Sequence, residues 1–514
     1  MQLSATSPWS VSRWLLSLAA LALAVLLVHG YHPLAEDGGL YVAGVLWKLS
    51  PSLFPHDTPF VIEHLRFSIF APFVAGLVHF TSLTLPWTLF ILYLGSIALT
   101  LFAARQVLRR VIASEPAQLA GVALLAAWWT LPVAATSLML MDPYVTARSF
   151  SFPLSLLAIA FALDDWRSRP RALACALCLA VAFVFHPLMA AYAFVLVILL
   201  RLFRQSRPAL RLALFTSLVL AAALLIQLRA PAESPALHAA EITRYYWFLS
   251  QWHWYELLGL VAPLCVLALL QRRRRIAFLP AVTTLCRAVV VLGLMATLIA
   301  LLFARENLAT HLIARLQPLR AFTLLYALMA MLLGVALQQI CFTTRPQAFQ
   351  LRAMLRAAPV FVLVVCAGIM FQAQRAAFPA SAHLELPFNT HPNANPWTQA
   401  FQWARDNTPC NALFAIDADY ITTPGEDAQT FRATAERSVL PDHSKDGGEA
   451  AITPALADTW LLGATTQAGL SSLDDSARDA PLRALGVTWM VLHASAHTLH
   501  PCPYGNSVVK VCRL

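Results

Sequence analysis

Two polar stretches of the chain carry residue types and spacings that could do chemistry. The first has adjacent carboxylates at Glu36 and Asp37, and the second pairs Asp142 with Arg148, six residues later. Each stretch lies just beyond a long apolar run. A charge at the edge of a bilayer is costly, so an acidic cluster there usually marks a functional site. We therefore expect a site in which carboxylates work beside a cation.

The first carboxylate pair suits proton transfer or cation binding. Asp37 could act as the general base for a hydroxyl or amine acceptor, or as a metal ligand. The alternative is that Asp37 only caps the helix that follows, since acidic residues favour helix N-termini. The second acidic motif, at Asp142, leads us to favour a functional role for the pair.

The second motif has two compatible interpretations. Arg148 could hold a lipid phosphate through bidentate contacts. It could also form a salt bridge with Asp142 that fixes the turn at Pro143. His186 interrupts two apolar runs at the same predicted face. It could bond a phosphate or cap the turn, and we favour the cap.

Other residues of the predicted outer loops are candidates by residue type. His56 and Asp57 form a second group of polar residues in the first loop. Arg244 and Arg320 are further cations that could hold a phosphate. Aromatic residues are dense over residues 241–254. They suit an interfacial belt, and they could also stack on sugar rings or guide a polyprenyl chain.

Composition places the chain in a membrane. Hydrophobic residues make up 59% of the chain and charged residues 12%, with a mean hydropathy of +0.65, whereas a soluble domain carries roughly 25% charged residues. The net charge is +10. The Arg residues form small clusters at the ends of apolar runs, which is typical of topology signals and argues against a nucleic-acid partner.

Several catalytic motifs are missing from the sequence. It contains no Gly-rich phosphate loop, no His-Glu-x-x-His and no Gly-x-Ser-x-Gly. We therefore do not expect an ATP-driven machine, a zinc protease or a serine protease, and we expect no nucleotide cofactor. A divalent cation such as Mg²⁺ or Mn²⁺ stays open.

Eleven apolar runs are long enough to span a bilayer, which needs about 20 residues. They begin near Trp14, Leu85, Ala117, Phe150, Ala172, Leu188, Leu212, Leu257, Ala288, Ala321 and Pro359. The run over 67–80 is shorter, so we expect a re-entrant or interfacial helix there. With the N-terminus inside, the inner segments hold 19 Lys and Arg residues and the outer membrane-proximal loops hold 8. This follows the positive-inside rule and leaves the C-terminus outside.

The sequence predicts two domains. Residues 1–372 form a polytopic helical membrane domain with a long first outer loop over 31–84. Residues 373–514 form a small soluble α/β domain outside the membrane, because the chain from residue 372 onward holds 14 of the 26 acidic residues and no long apolar run. Its predicted elements are a helix over 397–407, a strand over 412–416, a short helix over 480–485 with Pro481 in its first turn, and a strand over 487–492.

Three cysteines lie in this C-terminal domain. In an oxidising compartment Cys502 and Cys512 could form a disulfide, or either could pair with Cys410. One thiol is left over in each case. The other six cysteines lie in or beside apolar runs and suit small core residues.

With these motifs the chain resembles the type C glycosyltransferases. These are polytopic membrane enzymes with an acidic motif in a long first outer loop and a second acidic loop. The likeness rests on Glu36 and Asp37 with Tyr41, on Asp142 with Arg148, on the short helices of the first loop and on the soluble C-terminal domain.

The resemblance implies an inverting transfer of a sugar from polyprenyl phosphate or diphosphate, with the leaving phosphate held by outer-face cations. Asp37 would be the catalytic base and Glu36 its neighbour or a metal ligand. Asp142 would be a helper from the second loop, and Arg148 would bind the phosphate. Many members read Asp-Glu where this chain reads Glu-Asp, so which of the two is the base stays open.

We therefore expect a hexosyl- or pentosyltransferase of a bacterial inner membrane with a periplasmic C-terminal domain. Its expected partners are a polyprenyl-phosphate sugar donor, membrane lipid, and a glycan, lipid or protein acceptor. Expected substrate contacts are Tyr41, His56, Asp57 and Tyr144. The alternative is a non-enzymatic polytopic protein, such as a transporter or an envelope-assembly scaffold. A transporter would show broken helices in two internal repeats, and the sequence shows no such repeat.

Overall fold

A computed structural model describes residues 10–164, 168–272, 276–343, 349–388, 395–416 and 428–514. The apolar part of the chain is helical within these ranges. Its helices are α1 (Val11–His29), α2 (Asp37–Leu49), α3 (Thr58–Ile62), α4 (Phe70–Thr81), α5 (Leu85–Val111), α6 (Glu115–Ala127), α7 (Arg148–Ala162), α8 (Arg169–Phe185), α9 (Pro187–Phe203), α10 (Pro208–Arg229), α11 (Pro235–Ile242), α12 (Trp254–Leu270), α13 (Ala281–Phe303), α14 (Leu312–Arg315), α15 (Phe322–Thr343) and α16 (Phe349–Ala377).

Each of the eleven apolar runs forms a helix. Among the described residues, six helical segments are long and apolar enough to cross a membrane: α1, α5, α10, α13, α16 and the stretch Leu312–Phe342, which covers all but the last residue of α15. Helices α6, α7, α9 and α12 are apolar but shorter. Helix α6 has 13 residues, so it covers only about 20 Å of a hydrocarbon core of about 30 Å. The chain is thus mainly helical and polytopic, while the number and orientation of its spans stay predictions.

The first loop contains a sharply bent pair of helices. The segment Thr58–Phe67 and helix α4 meet at 97°. Ser68 separates them in an extended conformation, and its hydroxyl accepts a hydrogen bond from the backbone N–H of Phe70 at 3.1 Å. Such a bend makes either a broken span or a re-entrant loop. It falls on the run over 67–80, where we predicted a re-entrant or interfacial helix.

Basic side chains gather at one end of the bundle. Arg110, at the end of α5, pairs with Asp164 beyond the end of α7 at 2.7 Å. Arg204, beyond the end of α9, donates to the backbone carbonyls of residues 162–164. The segments that we assigned to the inner face by charge therefore meet in space. Residues 273–275, part of another predicted inner cluster, lie outside the described residues.

The C-terminal region is an α/β unit, as predicted. Its helices are α17 (Pro396–Asn407), α18 (Ala428–Ala435), α19 (Lys445–Ile452), α20 (Ala457–Thr466) and α21 (Asp475–Ala484). Its strands are β1 (Leu413–Ile416), β2 (Ser438–Val439), β3 (Trp489–His493), β4 (Tyr504–Gly505) and β5 (Val509–Arg513). The sheet order is β2-β1-β3-β5-β4. Strand β1 lies parallel to β2 and β3, and β5 runs antiparallel to β3 and β4.

One predicted helix of this region was placed too late in the sequence. Helix α21 begins at Asp475, five residues before the predicted start, and Pro481 lies inside it rather than in its first turn. The early start is held by the buried Arg478, which pairs with Asp475 and donates to the carbonyls of Leu470, Leu473 and His497. This anchoring offsets the hydrogen bond that Pro481 cannot donate.

The C-terminal cysteines follow the first of the predicted pairings. Cys502 and Cys512 form a disulfide, and Cys410 is an exposed free thiol. The bond ties β5 to the segment that precedes β4.

The C-terminal region packs directly on the first loop. Helix α18 lies against α2 so closely that a Cβ added at Gly39 would come within 2.9 Å of the backbone of Gln429 and Thr430. Arg432 of α18 is fully buried and pairs with Asp57 of the first loop and Asp446 of α19. Through these contacts α19 is held above the start of α2, where the candidate site lies.

Candidate active site

The two acidic motifs meet in space. The backbone N–H of His32 donates to the carbonyl of Pro143 at 2.8 Å, which joins the first loop to the second. The ring of Tyr144 lies against Gly38, where an added Cβ would be 3.3 Å from its Cγ. Asp37 and Asp142 therefore belong to one cluster.

Asp37 is the first residue of α2, and its carboxylate faces a lysine. Lys445 Nζ, from the first turn of α19, lies 2.9 Å from Asp37 Oδ1 and 2.7 Å from Glu36 Oε2. Glu36 is the N-cap residue and makes no side-chain capping bond. It has a φ of +49°, a conformation that costs a non-glycine residue about 1–3 kcal/mol and is frequent at functional sites.

The charge state of Asp37 is fixed by nearby cations. Its side chain keeps 45% of its surface exposed. Desolvation raises the pKa of Asp37, but the positive charges of Lys445, Arg320 and Arg148 outweigh it and lower the pKa to about 2. Asp37 is therefore ionised throughout the physiological range.

Asp142 and Arg148 form the predicted salt bridge. Both side chains are buried, and Arg148 Nη2 donates to Asp142 Oδ1. Arg148 Nη1 also donates to the carbonyl of Met139 at 2.6 Å, which ties the loop to the first turn of α7. Burial raises the pKa of Asp142 and the charge of Arg148 opposes this rise. The salt bridge still leaves Arg148 close enough to lower the pKa of Asp37.

Arg320 and His186 complete the cluster. Arg320 stacks on the ring of Tyr246, 5.3 Å from its centroid, and no carboxylate of the described residues lies within ion-pair distance of it.

His186 caps α9, as we favoured over a phosphate contact, and its side chain accepts from the backbone N–H of Met189 at 3.4 Å. Burial, followed by the charges of Arg320 and Arg148, lowers the pKa of His186 to about 3. His186 is therefore neutral and lies beside the same cations.

Three other predicted site residues contact protein groups at the edge of the cluster. Arg244 donates to the carbonyls of His443 and Ser444 at 3.1 and 2.6 Å, and so holds the turn that presents Lys445. His56 Nε2 lies 3.0 Å from the carbonyl of Asn411. Asp57 accepts from the backbone N–H of Val439 at 3.1 Å, besides pairing with Arg432. These contacts join the first loop and α11 to the C-terminal region.

Tyr41 forms one wall of the cluster. Its ring meets those of His64 and Phe70, with centroids 5.6 and 5.0 Å away. Burial raises the pKa of Tyr41, and the charges of Asp37 and Glu449 add to this. Tyr41 therefore stays protonated and can donate a hydrogen bond.

Two residues of α19 belong to the cluster but were not predicted from the sequence. Lys445 is one of three lysines in the chain, and this rarity is the signal that could have drawn attention to it. Glu449 lies one turn later and is buried. Desolvation, followed by the charges of Asp446 and Asp37, raises the pKa of Glu449 to about 8. At neutral pH it is a protonated carboxyl group next to the ionised Asp37.

A divalent ion at this site would have to compete with side chains. The carboxylates that could bind Mg²⁺ or Mn²⁺ are Asp37 and Asp142, with Glu36. Asp37 and Glu36 are paired with Lys445, and Asp142 is paired with Arg148. The cations of the chain already supply the positive charge, so we assign no step at this site to a metal.

Comparison with known proteins gave matches at the level of structure only. No family model and no curated protein sequence matches the chain. The oligosaccharyltransferase of Archaeoglobus fulgidus, tethered to an acceptor peptide containing an NVT sequon, matches with 12% identity and a TM-score of 0.50, over 94% of this chain and 70% of that one.

A second match is the archaeal oligosaccharyltransferase AglB from Archaeoglobus fulgidus in complex with an inhibitory peptide and a dolichol-phosphate. It has 12% identity and a TM-score of 0.51, over 95% of this chain and 70% of that one. At this identity the likeness shows the fold alone. Over nearly its whole length, the chain therefore has a fold similar to that of these archaeal oligosaccharyltransferases, which have the type C glycosyltransferase fold.

Proposed function

We propose that this protein is a membrane glycosyltransferase. It transfers a sugar from a polyprenyl-phosphate-linked donor to an acceptor at the outer face of a bacterial inner membrane. One observation carries this proposal: Asp37, at one end of an apolar helical bundle, is an ionised and partly exposed carboxylate that pairs with Lys445, and the charges of Arg320 and Arg148 lower its pKa further. A carboxylate beside several cations at a membrane edge suits a base that works next to a phosphate leaving group.

The proposed reaction is a direct displacement at the anomeric carbon of the sugar. Asp37 accepts the proton of the acceptor hydroxyl or amine while the acceptor atom bonds to that carbon. The bond between the carbon and the phosphate oxygen breaks, and its electron pair leaves with the polyprenyl phosphate. A single displacement inverts the configuration at the sugar carbon.

The cations have two tasks in this proposal. In the free protein Lys445 pairs with Asp37 and Glu36, and Arg148 pairs with Asp142. A donor phosphate attracts Lys445. Arg320 can bind the phosphate without first breaking an ion pair. When Lys445 shifts toward the phosphate, Asp37 loses its closest cation and becomes more basic. Donor binding thus prepares the base.

The fold supports the lipid-linked donor. AglB was seen with a dolichol-phosphate, which is a polyprenol-type lipid carrying the same charged group. For this chain we propose a chemically similar lipid phosphate, with the sugar as hexose or pentose and the acceptor as glycan, lipid or protein. The disulfide between Cys502 and Cys512 suits a C-terminal region in an oxidising, extracytoplasmic compartment.

Binding of polyprenyl phosphate to the purified full-length protein tests the proposal. The leaving group alone serves as the probe, so the sugar need not be known. Arg320→Ala removes a charged contact of about 1.5–3 kcal/mol. It should weaken binding by about 10-fold or more. Arg305→Ala is the matched control, because Arg305 is exposed and lies on the same connection between α13 and α15.

The control variant should bind within about twofold of the wild type. Arg148→Lys keeps the charge but loses the bidentate geometry, so it too should bind more weakly. Equal binding by the wild type, Arg320→Ala and Arg148→Lys would remove these cations from the donor site and the proposal with them.

A further inference from the structure

A second cluster of ionisable side chains lies on the loops between the apolar helices, away from Asp37. Its potential ligand atoms lie within 4.8 Å of one another and come from Glu233 just before α11, His238 on α11 and His311 just before α14. Glu241 of α11 contacts this group through His311. Glu241 and His311 are fully buried, and Glu233 is nearly so. His238 is about half-exposed and opens the cluster to solvent. The proposed transfer reaction uses none of these residues.

The potential ligand atoms gather around His311 and Glu233. His311 Nδ1 lies 2.8 Å from Glu233 Oε2 and 3.2 Å from Glu241 Oε2. His238 Nδ1 lies 3.9 Å from the same Glu233 oxygen. Tetrahedral Zn²⁺, with bonds of about 2.0–2.2 Å, holds its ligand atoms roughly 3.3 Å apart. These three separations bracket this value, and the Glu241 side chain has to move toward His238 to complete the site.

Outer contacts orient these atoms. Arg315 donates to the other oxygen of each carboxylate, Oε1 of Glu233 and Oε1 of Glu241, which leaves both Oε2 atoms facing His311. His311 Nε2 lies 3.3 Å from the carbonyl of Glu306. A hydrogen bond from Nε2–H to that carbonyl leaves the lone pair on Nδ1. Partners of this kind fix metal-ligating histidines and carboxylates.

We propose that Glu233, His238, Glu241 and His311 bind a structural Zn²⁺ ion. Two imidazole nitrogens and two carboxylate oxygens suit Zn²⁺, whereas Mg²⁺ and Ca²⁺ prefer oxygen alone. The ligands lie on two separate loops, and four protein ligands leave no position for a substrate. The ion therefore joins α11 to α14. This proposal does not depend on the transfer reaction.

The position of the cluster gives the ion a role in the architecture. Helix α11 packs against α19, which carries Lys445, and α14 leads within a few residues to Arg320. A link between α11 and α14 holds the two cation-bearing segments at a fixed distance. The competing explanation is a proton on His311 shared by the two carboxylates, in which His238 has no part.

Zinc titration of the purified full-length protein separates these explanations. The protein is first stripped with a chelator and then titrated with ZnCl₂ or with CoCl₂. We expect one metal ion per chain, strong visible absorption of tetrahedral Co²⁺, and a higher Tm with zinc. His238→Ala should bind zinc about 10-fold more weakly or worse and lose the Co²⁺ absorption. The variant changes an exposed side chain, so it should fold normally.

His79→Ala is the matched control, because His79 is an exposed histidine on α4. It should bind zinc as the wild type does. The proposal is overturned if the wild type takes up no zinc, or if His238→Ala and the wild type bind it equally.

Discussion

Lys445 and Asp37 come from segments that lie about 400 residues apart in the chain, yet their charges lie 2.9 Å apart. In our account this pair is the resting state of the site, and Lys445 turns to the phosphate when the donor binds. The lysine is thus both a partner of the base and a ligand of the leaving group.

Replacement of Lys445 tests this double role. Lys445→Met removes the phosphate contact and the nearest charge that lowers the pKa of Asp37. We predict a dissociation constant for polyprenyl phosphate that rises by about 10-fold. Lys48→Met is the control, because Lys48 is exposed at the far end of α2. Unchanged binding in Lys445→Met would show that the lysine serves only as a partner of Asp37.

Glu449 makes stability depend on pH. Its pKa is about 8 in the folded protein against about 4.5 when unfolded, because of burial and then the charges of Asp446 and Asp37. The folded state therefore holds the proton more tightly, and its stabilising effect is complete below pH 4.5 and lost as the pH rises through 8. Arg432 and Glu63 also face this group, with smaller effects.

Glu449→Gln should flatten this dependence. Between pH 5 and 9 we expect the Tm of the wild type to fall by at least about 2 °C more than that of the variant. The other titrating groups are present in both proteins, so the difference reports Glu449. Parallel Tm curves would exclude a protonated Glu449.

Part of this site could be predicted from the residue types of the first two loops. Asp37, Asp142 and Arg148 stand out in the sequence because charged residues at the end of apolar runs are unusual. Lys445 and Glu449 do not, because they lie in a polar region where charged residues are ordinary. Only the packing of that region on the first loop brings them to Asp37.

At the scale of elements, the close contact between α2 and α18 positions α19 and hence Lys445. Gly39→Ala would place a Cβ 2.9 Å from the backbone of residues 429 and 430. Backbone cannot move aside cheaply, so we predict a loss of about 1–3 kcal/mol of stability and weaker binding of polyprenyl phosphate. Gly76→Ala on α4 is the control, since nothing lies within 4 Å of its added Cβ.

Equal stability of the two glycine variants would mean that α2 and α18 are not packed as described. A destabilised Gly39→Ala that still binds polyprenyl phosphate normally would separate this contact from the site.

Elements with a strong period or a long apolar run could be predicted from sequence, and elements held by distant partners could not. Helix α17 and strand β1 lie within one residue of their predicted bounds, because their apolar patterns are local. Helix α21 was placed late because its start depends on the buried Arg478, whose carbonyl partners lie in other segments. Helix α6 ends early for a span, where the chain turns into the second acidic loop.

At the scale of the whole molecule, the basic end and the candidate site lie at opposite ends of α5, α7 and α9. Arg148 begins α7, whereas Asp164 follows its end and pairs with Arg110. The positive-inside rule then assigns Arg110 to the cytoplasm and the site to the outer face.

Reporter fusions test this orientation. A periplasmic reporter joined after Leu514 should be active, because the C-terminal region packs on the same loops as the site. The same reporter inserted within residues 272–275 should be inactive, because we assign that Arg cluster to the inner face. The reverse pattern would move the site to the cytoplasm and overturn the proposed location.

Turnover by Asp37→Asn shows whether Asp37 is the catalytic base of a sugar transfer. The purified protein is supplied with a panel of polyprenyl-phosphate-linked hexoses and pentoses in vesicles. The vesicles are made from the lipids and acceptors of the membrane in which the protein naturally lies. The measured quantity is the release of polyprenyl phosphate. We predict release by the wild type and a loss of about 100-fold or more in Asp37→Asn, as expected when a general base is removed. Asp458→Asn, a change in the exposed first turn of α20, should release polyprenyl phosphate normally. Near wild-type release by Asp37→Asn in folded protein would contradict the account.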